Sequence, residues 1–380
     1  MIGGNALYLP EVEFHESTSL EEASSLLSKF GADARLLAGG TELLVDLKSG
    51  RRSARHLISL QTISALRGIT LTREGLRIGA LTTLSELDRH REVRRLFPAI
   101  HDATHQMAAV QIRNMATVGG NVVCAVPCAD LPPVLGVLGA SVRAWSSPRS
   151  DNLGHPSGGE RTIPIESFFV GVRRTVLKND EILVSVWVPM SPRSEHSFSV
   201  SQSAPLLAKE GLGEVLSEGD FSSGRGATPL NPPLVRGEAK HVQSGDLGHP
   251  FPKSGDLGHP TPPAGFGAAY ARFSLREGNS VAVAAIAASM RLESDGSIGD
   301  ARIALGAVSP TPKLVASARE ALVGRQPSDR VFAEAAAAAM EQCEPISDVR
   351  GSASFRREIV GVLTQRALST ALRRARENGA

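Results

Sequence analysis

Apolar positions along the chain switch between a helical and a strand period, and the switches mark its elements. Leu20, Ala23, Leu27 and Phe30 recur at helical spacing behind Ser19, which with Glu22 has the spacing of a capping box, and Gly31 supplies a stop. Ala34–Ala38 (ARLLA) is a short apolar run suited to a buried strand. Gly39 and Gly40 follow it, then a second helical pattern through Leu43, Leu44 and Leu47. Helix, strand, glycine turn and helix make an α/β arrangement. His56–Leu60 and Gly75–Ala80 read as strands and Glu92–Val110 as a helical stretch, and Gln111–Asn121 brings a second Gly-Gly pair. Asp130 is placed to cap a helix whose first turn holds Pro132 and Pro133. Ser141–Trp145 and Glu181–Pro189 add strands.

The pattern then lapses. From about Ser191 to Gly265 the chain is rich in Ser, Gly and Pro without a sustained apolar period. SGDLGHP stands at Ser244–Pro250 and again at Ser254–Pro260, with the variant SDNLGHP at Ser150–Pro156. Such a block buries no core and reads as a flexible insertion. Its histidines His155, His249 and His259 come with the repetition, and a mobile loop preorganises no metal site. Beyond Tyr270, the runs around Val281–Glu293 and Ala301–Val308 read as paired strands turning at Ser294–Ser297. Helical stretches follow at Pro312–Val323, Ser328–Glu341 and Ser354–Arg376, the last ending in basic residues that suit a helix C-terminus. This is an α+β domain separate from the first.

Composition narrows the function classes. A chain of 380 residues has room for two or three domains, and 42% hydrophobic with 21% charged residues is globular rather than disordered. A net charge of +2 gives no electrostatic case for nucleic acid. The longest apolar stretch, from Val281, falls short of the roughly 20 residues of a membrane span, and the N-terminus shows no basic-then-apolar leader. Three cysteines suit neither a disulfide framework nor a four-thiolate iron–sulfur cluster. A soluble, cytoplasmic protein is expected. Cys124 and Cys128 read as packing residues. His101 and His105 share a helical face but lack the Glu of H-E-x-x-H, so they read as surface or packing residues, and no metal site and no catalytic residue is assigned. Arg113, Arg350, Arg356 and Arg357 read as structural or subunit-contact residues.

The two Gly-Gly segments carry the main chemical signal. Glycine admits positive φ and lets a ligand reach the backbone, and a helix start offers unpaired amides to phosphate. A pyrophosphate between Gly39-Gly40-Thr41 and Gly119-Gly120-Asn121 would meet backbone donors from both sides. Each pair alone is ordinarily just a tight turn, and neither fits G-x-G-x-x-G or the phosphate loop.

The wider sequences are more specific. RLLAGGTELLVDLK with QIRNMATVGGNVVCAVPCADLPPVL resembles the FAD-binding subunit of the molybdenum hydroxylase family, which includes xanthine dehydrogenases, carbon monoxide dehydrogenase and 4-hydroxybenzoyl-CoA reductase. YARFSLREGNSVAVAAIAAS, DARIALGAVSPTP and PISDVRGSASFRREIVGVLTQRAL are similar to that family's C-terminal flavoprotein domain. The resemblance, which leaves out the insertion at 191–265, implies an α+β chain: a two-subdomain FAD-binding domain of the vanillyl-alcohol-oxidase (PCMH) type over 1–190 (subdomains about 1–60 and 61–190), and a smaller α+β domain at 266–380. It implies that FAD is bound by Leu36, Leu37, Ala38, Gly39, Gly40, Thr41 and Glu42, and from the other side by Thr117, Val118, Gly119, Gly120 and Asn121. Asp130 would contact the nucleotide portion, Leu183 would lie near the cofactor, and Arg272 close to it. The family often has Asp where Glu42 stands, and Ser and Ala where Val126 and Cys128 stand. The implied role is electron transfer in a heteromeric complex with a large molybdopterin-binding subunit and a small [2Fe–2S] subunit, toward NAD or another acceptor. The alternative is a flavin-less nucleotide-binding or scaffolding subunit of such a complex.

Overall fold

The computed structural model describes residues 8–150, 156–192 and 260–379, and these belong to one structural unit. The 191–265 insertion falls almost wholly outside them, as do His155, His249 and His259.

Strands β1 (Glu13–Glu16), β2 (Ala34–Leu37) and β3 (His56–Ser59) form a parallel sheet in the order β1-β3-β2. Helix α1 (Leu20–Phe30) connects β1 to β2, and α2 (Leu43–Lys48) connects β2 to β3. The Ser19 hydroxyl accepts the Glu22 amide at 3.1 Å, while the Glu22 carboxylate turns back to the Thr18 amide rather than closing the box on Ser19. Gly31, at φ 52°, returns its N–H to the Leu27 carbonyl and ends the helix.

The second layer is antiparallel. Strands β4 (Ile69–Leu71), β5 (Gly75–Gly79), β6 (Ser141–Ser150) and β7 (Pro156–Pro164) belong to it, β8 (Phe169–Gly171) and β9 (Arg174–Thr175) form a separate hairpin, and β10 (Ile182–Pro189) completes the order β4-β5-β10-β6-β7. Between β5 and β6 run six helices: α3 (Leu84–Arg89), α4 (Arg91–Leu96), α5 (Pro98–Gln106), α6 (Val110–Arg113), α7 (Val118–Val123) and α8 (Leu131–Val137). The expected single helix over Glu92–Val110 is therefore divided. Pro98 starts α5 at the position proline favours and drives Phe97 out of helical geometry, to φ −128° and ψ 55°.

In the C-terminal domain β11 (Phe266–Phe273), β12 (Ala284–Leu292), β13 (Ile298–Gly306) and β14 (Lys313–Leu314) form an antiparallel sheet in that order. Helices α9 (Ala316–Leu322), α10 (Asp329–Gln342) and α11 (Ala353–Glu377) follow. The helix expected from Pro312 starts only at Ala316, because Lys313 and Leu314 pair with β13 instead. Small residues bring α11 onto the sheet: a Cβ on Gly267 would lie 2.0 Å from the Ala371 carbonyl oxygen, so backbone meets backbone there. All seven residues of α8 are buried, and the helix joins the two parts of the chain. Pro133 fills the space beside Gly306, and the Ser289 hydroxyl donates to the Val137 carbonyl at 3.0 Å. That seating brings Tyr270 and Arg272 of β11 beside Asp130.

Candidate functional site

A cleft of about 640 Å³ is lined by two stretches far apart in sequence, within Leu36–Leu43 and within Met107–Asp130, with Arg35, Arg52 and Glu181 adding charge. Ligand pockets run from about 300 to 1,000 Å³, so the cleft is large enough for a cofactor. Of the residues singled out from sequence, Leu36, Ala38, Gly39, Gly40, Thr41, Glu42, Thr117, Gly120, Asn121 and Asp130 line it. Leu37, Val118, Gly119, Leu183 and Arg272 do not. Val118 and Leu183 are core side chains, at 0% and 5% exposure.

The first glycine turn keeps its donors open. The backbone amides of Gly39, Gly40, Thr41 and Glu42 donate to no acceptor among the described residues. Gly40 sits at φ +72°, where a side chain is strained. At Gly39 the demand is steric: an added Cβ would lie 1.9 Å from the Met115 carbonyl oxygen, because the turn rests directly on the 115–116 backbone.

The second glycine pair departs from expectation. It is not a turn but the first coil of α7, with Thr117 as N-cap. Its amides are spent inside the protein: Val118 N–H donates to the Thr82 carbonyl at 2.9 Å, Gly119 to Ala80 at 2.8 Å, Gly120 to the Thr117 hydroxyl oxygen at 3.0 Å and Asn121 to the Thr117 carbonyl at 2.9 Å. Gly119 is small because Ala80 lies against it, with an added Cβ 2.8 Å from the Ala80 Cβ. What this segment offers the cleft is the Asn121 side chain, whose carbonyl oxygen is buried with no hydrogen-bond partner among the described residues. A buried amide left in that state is costly unless a bound group completes it.

Asp130 also departs from expectation. Although it occupies the N-cap position of α8, its side chain caps nothing. The amides an N-cap bonds belong to the second and third helical residues, here Pro132 and Pro133, which have none. The carboxylate instead accepts the Tyr270 hydroxyl and the Arg272 guanidinium, the latter at 3.2 Å. Burial raises the Asp130 carboxyl above its usual range, against the pull of Arg272 and Tyr270. Burial and the adjoining Asp130 charge push the Tyr270 phenol well up, so it stays a donor. Arg272 spends its other donors on the Gln106 carbonyl at 2.9 Å and the Ser280 carbonyl at 2.8 Å.

Sequence reasoning missed Arg173 and Asp46. Arg173, at the tip between β8 and β9, donates to Asp46 at 2.8 Å and to Glu42 at 2.7 Å, and so ties the hairpin to the first glycine turn. Asp46 is fully buried and also meets Arg51 at 2.8 Å and Arg52 at 3.2 Å. Nothing in the spacing of these residues announces that contact, which bridges 127 positions. Cys124 and Cys128 line the cleft as thiols. Burial, with Glu42 and Cys128 adding to it, pushes the Cys124 thiol up to about 11. Only the thiolate is nucleophilic. Iodoacetamide at neutral pH should therefore leave Cys124 unlabelled in the native chain and label it after unfolding, which peptide mass mapping reads directly. Because the folded value is the higher one, the thiol's contribution to stability is complete below the unfolded value and is lost as pH rises toward 11.

A glycine turn with open amides stands at the end of a parallel strand and faces a buried asparagine across a cofactor-sized cleft, an arrangement that suits a phosphate-bearing cofactor. Comparison with known proteins fixes which kind. Residues 10–191 match the FAD binding domain in molybdopterin dehydrogenase, and 268–371 match the CO dehydrogenase flavoprotein C-terminal domain. The carbon monoxide dehydrogenase medium chain of Hydrogenophaga pseudoflava is 28% identical over 362 residues, covering 95% of this chain and 97% of that one. The xanthine dehydrogenase FAD-binding subunit of Escherichia coli O157:H7 is 25% identical over 360 residues, covering 94% and 95%. Among solved structures, carbon monoxide dehydrogenase from Hydrogenophaga pseudoflava lacking the Mo-pyranopterin moiety superposes with a TM-score of 0.71 at 27% identity, covering 97% of this chain and 99% of that chain. The chain belongs to the FAD-binding medium subunits of the molybdenum hydroxylases; it is an oxidoreductase subunit and FAD is its cofactor. No helix among the described residues is long and apolar enough to cross a membrane.

Proposed function

We propose that this chain carries electrons between the [2Fe–2S] clusters of a small partner subunit and NAD or another soluble acceptor, while a large molybdopterin-binding partner oxidises the substrate. The supporting observation is the cleft with its four open amides, which suits a phosphate-bearing cofactor. When bound, FAD supplies a ring that accepts and returns electrons, and the protein supplies binding and orientation.

The roles of this chain's residues follow from the donors they present. The amides of Gly39 to Glu42 hold the pyrophosphate, with Arg35 and Arg52 adding positive charge at the cleft. Asn121 completes its buried amide on the cofactor. Leu36 and Ala38 give the cleft apolar wall, and Thr117 braces α7 from beneath. Arg173 holds Glu42 aside, so its carboxylate is neutralised rather than aimed at phosphate. Asp130 fixes the junction with the C-terminal domain through Tyr270 and Arg272, and any contact with the nucleotide is made from that anchored position.

The partner assignment is tested by purifying the assembly from its own cells through a tag on this chain. Molybdenum, iron and FAD eluting together in fixed ratio is the expected result. A chain that elutes with FAD but neither metal overturns it.

A further inference from the structure

A second group of polar side chains lies outside the cleft. Helix α3 is fixed at its start by a capping box in which Thr83 and Glu86 bond each other's backbone amides, and it ends by presenting Asp88 toward α5. On α5, His101 and His105 are four residues apart and face the same way. Asp88 Oδ1 lies 3.0 Å from His101 Nδ1 and 3.3 Å from His105 Nδ1. The three atoms lie within 4.8 Å of one another.

These contacts are not hydrogen bonds. Asp88 Oδ1 and His101 Nδ1 are both buried without a hydrogen-bond partner among the described residues, although they face each other. Arg94 does not pair with the carboxylate through its Nε, which donates to the Asp88 main-chain carbonyl at 2.8 Å. Two ligands each about 2.0–2.1 Å from one ion at a tetrahedral angle stand about 3.3 Å apart. The observed separations match that spacing. An oxygen set off the N–H axis is also what two ligands of a common ion show.

We propose that Asp88, His101 and His105 bind a divalent transition metal of the zinc type. Two imidazoles and one carboxylate are a borderline donor set, for which Zn²⁺ is well suited and Mg²⁺ or Ca²⁺ is not. Three protein ligands leave a fourth position for water, on the side where His105 is 64% exposed. The bound ion would pin α3 to α5, whose next residue after His101, Asp102, pairs with Arg374 of α11 at 2.6 Å. Metal occupancy is thus coupled to the junction of the two domains.

A second trio, Glu13, His15 and His56, is set aside. There the imidazoles already bond each other at 3.1 Å and Phe30 stacks on both rings.

The test uses the full FAD-loaded chain, dialysed against Zn²⁺ after chelator treatment and analysed for zinc, FAD and thermal midpoint. Wild type should retain about one tightly held zinc ion assigned to this site and melt higher with zinc than without. Asp88→Asn and His105→Ala should each cut that zinc at least tenfold and abolish the rise in melting temperature with FAD content unchanged, whereas His15→Ala should keep both. His105 is exposed, so its removal threatens the fold least. Zinc retention and melting that are equal in wild type and both variants overturn the proposal, as does a wild type that retains no zinc.

Discussion

Replacing Gly39 with alanine should cost about 3 kcal/mol of stability and empty the cleft of flavin, even though the substitution adds one methyl group. The Cβ would stand 1.9 Å from the Met115 carbonyl oxygen and 2.7 Å from its carbon, and both are backbone atoms that no rotamer change can move aside. The turn must then lift off the 115–116 segment, and the amides of Gly39 to Glu42 move with it. A displacement of that kind should weaken FAD at least tenfold, or about 1.4 kcal/mol. Gly324→Ala is the control. Gly324 lies at φ +79° with open space around it, so alanine there costs only about 1–2 kcal/mol of backbone strain. It should leave FAD content unchanged. Urea melts and flavin absorbance of the two variants check both halves of the prediction.

The second large effect is at the domain junction. Arg272 and Asp130 side chains are 3% and 7% exposed, and the pair is shared with the Tyr270 hydroxyl. Removing one partner of a buried pair leaves an uncompensated charge and costs about 3–5 kcal/mol. Arg272→Met should therefore destabilise by that amount, and Asp130→Asn combined with it should recover a good part of the loss in a double-mutant cycle. The effect also has a pH signature. Burial already raises the Asp130 carboxyl, and Arg272 is the stronger of the two groups, with Tyr270, that pull it down. Without Arg272 the folded value rises further. The protonated carboxyl is then favoured in the fold, so the variant's deficit should be smallest below about pH 4 and grow as pH rises through the folded value. A deficit that is flat with pH would show that the charge of Asp130 is not what Arg272 compensates.

Local rules made much of this fold readable. Ser19 and Gly31 bound α1 as their types require, and ARLLA became β2 with the open glycine turn behind it. The failures have physical causes that sequence spacing does not carry. Gly119 and Gly120 look like Gly39 and Gly40 in sequence. Yet the segment after β5 crosses beside Gly119 and takes its amide, while the Thr117 hydroxyl takes that of Gly120, so one pair stays open and the other does not. Asp130 reads as a cap, but the second and third residues of its helix are prolines that have no N–H to give. That inference was available from the sequence, since Pro132 and Pro133 were in view. The Arg173 clamp on Asp46 and the Asp88–histidine trio depend on which elements meet in space, and no local period reports that. That two separated stretches meet at one cleft was legible mainly through resemblance to a family, and the difference between them only through the hydrogen bonds.

The central claim is that the amides of Gly39 to Glu42 hold a pyrophosphate in this cleft. The most direct measurement titrates FAD, FMN and riboflavin into the deflavinated chain and follows flavin fluorescence. FAD should bind at about one per chain, with FMN at least tenfold weaker and riboflavin, which has no phosphate, weaker still. Riboflavin binding as tightly as FAD, or a chain that takes up no FAD at all, would contradict it.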